Sequence, residues 1–395
     1  MDKQILILAT TRDFLTKFEQ ENVKILRRMG YVVHYAANLH EPSYAAGDDP
    51  FERMGVQAHH IDIARSPYLL DDNEKALRQV LALLQKYPIC AIHCHTPVGG
   101  VLGRLAGRFC SQKGIVVVYT AHGFHFYQGA PVFNRLVYRP VEGYLARYTD
   151  ILIVINEEDH RTARRFRLKK GGHVYRIPGV GLDTGVFCPL PPEKRAAMRE
   201  QLGIEPGQFF LVSVGELNEN KNQKIVLEAL ARMKRTGQDI SSIRYGICGD
   251  GFFRERMQRW IVEMGLRQTV TLYGHCSRVA DILGCADAAA FPSRREGLGM
   301  AGLEALAMGV PVLAADNRGT REYMEHGRNG FVCEWDDADG FIRGIRAIQK
   351  LDPVRKAAMA AYCRESVKPF EKEYTNAIMR KIYGEMERMV RRRRP

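Results

Sequence analysis

Short aliphatic runs separated by helix-length amphipathic segments constrain this chain more than any other feature. Ile5-Leu6-Ile7-Leu8-Ala9 is apolar at every position, so it reads as a strand buried on both faces. A helical pattern over 14–29 follows, then a second strand at 31–36. Further strand-like runs stand near 56–61, 89–93, 115–120 and 151–155, with helical patterns between most of them. That rhythm requires βαβ units and a parallel sheet. Pro178-Gly179-Val180-Gly181, followed by Pro189, Pro191 and Pro192, breaks it and marks a hinge. A second series starts at Phe209-Phe210-Leu211-Val212-Ser213-Val214 and continues at 243–248, 270–273, 288–291 and 310–314. The expected fold class is α/β, with two parallel-sheet domains facing a cleft at the carboxyl ends of their strands. The expected boundaries are 1–180, 181–370, and a helix with a basic tail over 371–395.

A chain of 395 residues is long enough for two cores of ordinary size. With 46% hydrophobic and 26% charged residues it has a globular balance, not a disordered one. The net charge of +13 points to an anionic partner and leaves nucleotide phosphates, nucleic acid and an anionic membrane open. Nine cysteines form no paired CxxC arrangement, and Cys90 and Cys94 fall on one predicted strand. With no signal peptide read at Met1–Thr10, reduced cytosolic thiols are expected. The apolar runs are strand-length, well short of the roughly 20 residues of a spanning helix. A cytoplasmic protein, free or peripheral on the inner face of the cell membrane, is expected.

The stretch Glu296-Gly297-Leu298-Gly299-Met300-Ala301-Gly302-Leu303-Glu304 joins glycines, an apolar helical run and a carboxylate at each end. Gly309-Val310-Pro311 then stops the helix and opens a strand. A glycine-rich turn into a helix offers unpaired N–H groups at the positive end of the dipole, a phosphate site. Eight helical residues span about 12 Å, close to the reach from ribose to sugar ring in a nucleotide diphospho-sugar. The plainer alternative is a glycine-rich connection with two solvated glutamates.

The chain resembles the retaining glycosyltransferases of family 4, with the GT-B fold of two Rossmann-like domains. The likeness is carried by Pro292-Ser293-Arg294-Arg295-Glu296-Gly297-Leu298-Gly299 with Glu304, and by Asp316-Asn317-Arg318-Gly319-Thr320-Arg321-Glu322 and Asn329-Gly330-Phe331. Gly215-Glu216-Leu217-Asn218-Glu219-Asn220-Lys221-Asn222, Cys248-Gly249-Asp250-Gly251, His93-Cys94-His95-Thr96-Pro97 and Thr120-Ala121-His122-Gly123-Phe124 extend it. It is similar to the capsule, exopolysaccharide and lipid-linked glycan assembly transferases. The resemblance implies a 1–180 acceptor-side domain, a 181–370 nucleotide-sugar domain, and a terminal helix crossing back to the first.

By that resemblance Glu304 binds the ribose hydroxyls, and Glu296 contacts the donor sugar and supports positive charge at its anomeric carbon. An oxocarbenium-like state favours a nearby carboxylate, while the leaving diphosphate needs cations and N–H donors. Lys221 is the candidate cation. The family often has arginine where this chain has Glu216, so Arg294 or Arg295 is expected to add charge. Gly215, Glu216, Gly251, His275, Arg295, Gly297, Leu298, Gly299 and Met300 complete the expected donor-binding set. His122, at a strand end beside Gly123, resembles the histidine that contacts the transferred sugar. His93 and His95 share a strand face, as a metal pair would, but no third ligand stands at useful spacing. No essential metal and no cofactor beyond the UDP-sugar substrate are expected. The usual glycine-rich loop after the first strand is replaced by Thr10-Thr11-Arg12-Asp13.

Phe124-His125-Phe126-Tyr127 and Phe133-Asn134-Arg135-Leu136-Val137-Tyr138-Arg139 mix aromatic and basic residues, and Arg161, Arg164, Arg165, Arg167, Lys169 and Lys170 follow. Such a surface suits an anionic bilayer and a lipid-diphosphate acceptor, with an inward-packed helix as the alternative. The terminal Arg391-Arg392-Arg393-Arg394 is expected to be a solvated, frayed tail. The rival functions are a UDP-sugar 2-epimerase, a nucleotide-sugar binding protein without turnover, and a nucleic-acid-binding protein. No zinc spacing, recognition helix or RNA motif supports the last.

Overall fold

The computed structural model describes residues 3–40 and 50–393. Two compact units result, one of residues up to Gly181 together with those from Glu373 on, the other Leu182–Lys372. In the first, strands β1 (Lys3–Thr11), β2 (Tyr31–Asn38), β3 (Val56–His60), β4 (Ile89–His95), β5 (Val116–Ala121), β6 (Ile151–Val154) and β7 (His173–Arg176) form a sheet in the order β3-β2-β1-β4-β5-β6-β7. Every pairing is parallel. All residues of β4 and β5 are buried, the polar His93, His95 and Thr120 among them.

The second unit repeats the plan with β8 (Phe209–Val214), β9 (Ile243–Cys248), β10 (Val270–Gly274), β11 (Ala288–Phe291), β12 (Val312–Ala315) and β13 (Gly330–Cys333), again parallel, in the order β10-β9-β8-β11-β12-β13. The helix Lys224–Arg235 packs Ile225, Val226, Leu227, Leu230 and Met233 into the core of this sheet. Strand order reverses between β1 and β4 in one sheet and between β8 and β11 in the other. At such reversals the crossovers leave in opposite directions, and a crevice opens beyond the strand ends.

Strands β7 and β13 have no counterpart in the sequence reading. Both are sheet edges only four residues long, with two apolar residues in β7 and three in β13, too short a run to announce a strand. The helix expected over 14–29 starts with a π-helical turn, Leu15–Glu19, before the α-helix Gln20–Arg28.

The terminal helix Lys372–Arg393 buries Thr375, Asn376, Met379, Ile382, Tyr383, Met386 and Val390, one stripe at three- and four-residue spacing. From Glu373 on it belongs to the first unit. Its polar groups are tied there as well: Glu387 pairs with Lys3, and Glu385 with Tyr175 and His173. The fraying is corrected for residues 391–393, which stay helical with Arg391 and Arg392 solvated, while Arg394 lies outside the described residues. Arg391 pairs with Glu387 on its own helix. Arg393 grips the buried Asp150 through both guanidinium nitrogens, at 2.6 and 3.1 Å. A carboxylate 1% exposed supplies the reason for the helix to persist to its last turn.

Arg393→Ala is expected to cost about 1.5–3 kcal/mol, the range for hydrogen bonds to a charged group. The check is the midpoint of thermal unfolding compared with Arg392→Ala as a surface control.

Candidate active site

In the second unit the loops after β8 and β11 meet at the strand reversal. Asn220 donates its side-chain amide to the carbonyl of Arg295 at 2.9 Å, and the N–H of Arg294 returns a bond to Asn220 O at 2.8 Å. Asn222 donates to Pro292 O at 3.2 Å and Trp335 O at 2.7 Å. Its φ of 55° is left-handed, a conformation asparagine tolerates. From the other side Asn317 donates to Ser293 O at 2.9 Å and Arg318 to Glu296 O at 3.2 Å. The segment 292–298 is therefore held by side chains on two flanking loops. Arg294 serves the same purpose: it pairs with Glu219 at 2.7 Å and stacks on Trp335.

The helix Met300–Ala307 begins after Gly299, whose φ is 91°. Tyr323, buried, donates its hydroxyl to Gly299 O at 3.2 Å. A Cβ at Gly302 would sit 2.2 Å from that hydroxyl oxygen, and one at Gly299 would sit 2.7 Å from the Phe291 ring. These two positions leave no space for a side chain beside Phe291 and Tyr323. Of the first-turn amides, that of Gly302 donates to Gly299 O at 3.1 Å.

Glu296 and Glu304 are both partly buried, and Lys221 links them electrostatically. Its Nζ is 2.6 Å from Glu296 Oε1, its stem lies over Gly215, and its ammonium faces the Phe291 ring at 5.6 Å. Burial pushes the Glu304 carboxyl up to about 7, with Lys221 pulling the other way. Leu298 is buried, Gly297 and Met300 half-buried. Glu216 is exposed, with Gly251 pressed against it: a Cβ there would lie 3.0 Å from Glu216 Cγ. His275 is exposed just beyond β10, and Arg295 is half-buried. Tyr323, Asn317 and the asparagines of the 218–222 loop carry the construction without having been assigned roles from sequence. Asn317 and the asparagines had membership of the matched motifs as their advance signal, and Tyr323, one residue past Glu322, had none.

In the first unit His122 follows β5 and is half-buried. Its Nε2 is 3.2 Å from His95 Nδ1, and the Phe14 ring packs on both imidazoles. Burial holds His122 down at about 4, so the ring is neutral at physiological pH. It lines a small cavity with Phe18, Glu19, Thr120, Ile177 and Asn376. Arg12 and Asp13, just past β1, lead into the π-helical turn that ends at the buried Glu19. Glu19, His93 and His95 offer ligand atoms within 4.8 Å of one another, a trio the sequence did not disclose. However, His93 already uses both ring nitrogens, toward Tyr383 Oη at 2.9 Å and Thr120 Oγ1 at 2.8 Å.

Part of the expected aromatic surface turns inward. Phe124 is buried and stacks with Phe126 at 4.8 Å, and both meet Phe166. Lys169 pairs with Asp150 and Arg161 with Glu157. The helix Val132–Ala146, by contrast, buries only Leu145 and Ala146.

Residues 194–365 match the family model of glycosyl transferases group 1, and residues 19–178 that of the glycosyl transferase 4-like domain. The chain is 40% identical over 348 residues to "Putative glycosyltransferase EpsD" of Bacillus subtilis (strain 168), covering 88% of each. It belongs to the group 1 glycosyltransferases. Another relative of this glycosyltransferase, 28% identical over 74% of each chain, is the UDP-Gal:alpha-D-GlcNAc-diphosphoundecaprenol alpha-1,3-galactosyltransferase of Escherichia coli. Its fold matches Anabaena Alr3699/HepE, solved in complex with UDP and glucose, with a TM-score of 0.75 at 20% identity over 97% of this chain and 100% of that one. WaaG, a glycosyltransferase involved in lipopolysaccharide biosynthesis, matches with a TM-score of 0.71 at 18% identity over 96% and 99%. The glycosyltransferase thus has the GT-B fold.

Because the folded-state pKa of Glu304 is raised, its contribution to stability is complete at low pH and is lost as pH rises through about 7. Glu304→Gln removes the ionisation. The variant should gain stability relative to the parent between pH 5 and pH 8, read from urea unfolding at both values; a difference independent of pH would contradict the shift.

Proposed function

We propose that this glycosyltransferase moves a hexose, foremost an N-acetylhexosamine, from a UDP-sugar to a lipid-diphosphate-linked sugar with retention of anomeric configuration. The observation that carries the reading is the turn-and-helix 296–304, which presents one carboxylate paired with Lys221 and a second held ready to accept hydrogen bonds. Glu304 accepts from the ribose diol; a carboxylate that resists ionisation when bare gains most from two such donors. Lys221 shifts from Glu296 toward the diphosphate when the nucleotide arrives. That frees Glu296 to face the sugar as the anomeric C–O bond breaks and its electron pair leaves with UDP. The acceptor oxygen bonds the anomeric carbon on the face the diphosphate vacates, and its proton passes to a departing phosphate oxygen. His122 contacts the transferred sugar. No residue of this scheme calls for a metal ion.

The likeness to a galactosyltransferase named for a diphosphoundecaprenol acceptor supports the acceptor class, and structural neighbours solved with UDP support the carrier. The charge balance agrees. A donor panel tests the reading: UDP released from each UDP-sugar, with and without a lipid-diphosphate sugar. Acceptor-stimulated release from one donor is expected, and release equal in both arms would sink the acceptor assignment. In the same series Glu304→Gln should weaken UDP binding roughly ten- to hundredfold, the equivalent of about 1.5–3 kcal/mol.

The exposed face of the helix Val132–Ala146 supports membrane contact as part of this reading. Val132, Phe133 and Leu136 are 69, 57 and 70% exposed, with Arg135 and Arg139 exposed among them. Tyr68, Leu69 and Leu70 are exposed too, and the Tyr68 hydroxyl lies 3.3 Å from that of Tyr138 on the same helix. Apolar side chains ringed by arginines suit the boundary of an anionic bilayer, and no described helix is long and apolar enough to cross one. Phe133→Glu with Leu136→Glu should abolish co-flotation with phosphatidylglycerol vesicles and leave UDP binding unchanged. Retained flotation would remove this helix from the contact.

A further inference from the structure

The segment from the helix Glu157–Ala163 into β7 concentrates positive charge that its own carboxylates do not balance. From Glu157 to Arg176 it carries seven arginines and lysines against three carboxylates. Those three are already engaged. Glu157 pairs with Arg161 and Arg176, Glu158 accepts the N–H of Gln128, and Asp159 accepts from the Asn156 amide and the N–H of Phe124. Arg164, Arg165, Arg167 and Lys170 are exposed, and their side chains meet no partner among the described residues. Cations left over in this way attract an anion.

One of the four also borders a cavity. Arg164 lines an open hollow of about 550 Å³ together with His160, Phe166, Leu168, Lys169 and His173, and among the described residues no carboxylate lines it. Three carboxylates stand behind the lining groups: Glu157 is 3.7 Å from His160 Nδ1, Asp150 3.3 Å from Lys169 Nζ, and Glu385 3.1 Å from His173 Nε2. Asp150 is shared with Arg393, so two cations divide one carboxylate there. These contacts hold Lys169 and His173 in place, and Arg164 is the lining cation left to bind. A guanidinium matches phosphate oxygens two at a time. Phe166 and Leu168, both half-buried, make part of the lining apolar. A cavity of this size and mixed character fits an anion that carries hydrocarbon.

The hollow lies at the amino ends of β6 and β7, since His173 opens β7 and pairs with Ile151, the first residue of β6. His122 follows the carboxyl end of β5, at the opposite end of the same parallel sheet, so the hollow is no part of the site assigned to the transferred sugar. It adjoins the helix Val132–Ala146 instead. A Cβ at Gly143 of that helix would lie 3.7 Å from the Phe166 ring, and Val141 and Tyr144 on either side of Gly143 are exposed. We propose that this cavity binds the phosphate headgroup of an anionic bilayer phospholipid, with Arg164 on the phosphate and Phe166 and Leu168 against the carbons next to it. The bilayer in this statement rests on the reading of the helix Val132–Ala146 above; the phosphate site does not.

The test is titration calorimetry of the full chain with dihexanoyl-phosphatidylglycerol, a lipid soluble as single molecules, and separately with inorganic phosphate. One lipid per chain is expected, bound roughly tenfold more tightly than phosphate because only the lipid meets the apolar lining. Arg164→Ala should weaken lipid binding about tenfold. Arg165→Ala removes the same charge one residue away and outside the cavity, and should change it less than about twofold. Neither side chain has a partner to lose, so both variants should unfold at the parent's thermal midpoint. Absence of lipid binding, or an equal loss in the two variants, overturns the site. Phosphate bound as tightly as the lipid overturns the lipid assignment. Phe133→Glu with Leu136→Glu should leave this titration unchanged, so a failed flotation experiment removes that helix from the membrane and leaves the phosphate site to be judged by calorimetry.

Discussion

In an open parallel sheet, neighbouring strands whose crossovers leave in opposite directions cannot be bridged at their carboxyl ends, and a crevice is left there. This constraint places nearly every group of interest in the protein. Beside the β8/β11 reversal stand Gly215, Lys221 and the turn from Pro292 to Gly299. Beside the β1/β4 reversal stand Glu19, His95 and, one strand on, His122. Strand cores of β-branched and aliphatic residues hold these loop residues in place, and the loops carry the polar chemistry because strands buried on both faces cannot.

The two units solve the problem of a buried charge differently. In the second, Lys221 pairs with Glu296 and draws down the pKa of Glu304, so charge is kept and balanced by charge. In the first, burial neutralises Glu19, His93, His95 and His122 instead, and hydrogen bonds replace charge as the means of control.

Much of the fold was legible because its signals are local. Runs such as Phe209–Val214 and Ile5–Ala9 announce strands buried on both faces, and the prolines after Gly181 announce the break between units. Edge strands β7 and β13 were not legible, since each is four residues long with two or three apolar positions, too short a signal to separate from a loop. In the site, Glu296, Glu304, Lys221 and His122 stood out by motif, whereas Tyr323 and Glu19 did not. Tyr323 matters because its hydroxyl fills the space over Gly302, and a tyrosine in a loop gives no sign of what it will press against. Glu19 reads as an ordinary polar position on an amphipathic helix until the π-helical turn rotates it inward.

The sequence by itself determined the fold class, the strand-and-helix alternation and the family, because periodicity and motif spacing are properties of neighbouring residues. Tertiary structure alone decided which side chains became partners. The Lys221–Glu296 pair spans 75 residues of chain and the Arg393–Asp150 pair 243. Periodicity carries no information at such separations. It also left open which apolar faces stay uncovered, and packing turned Phe124 inward while leaving Phe133 exposed. Those outcomes depend on how whole elements fit together, and close packing resolves them only once every element is in place.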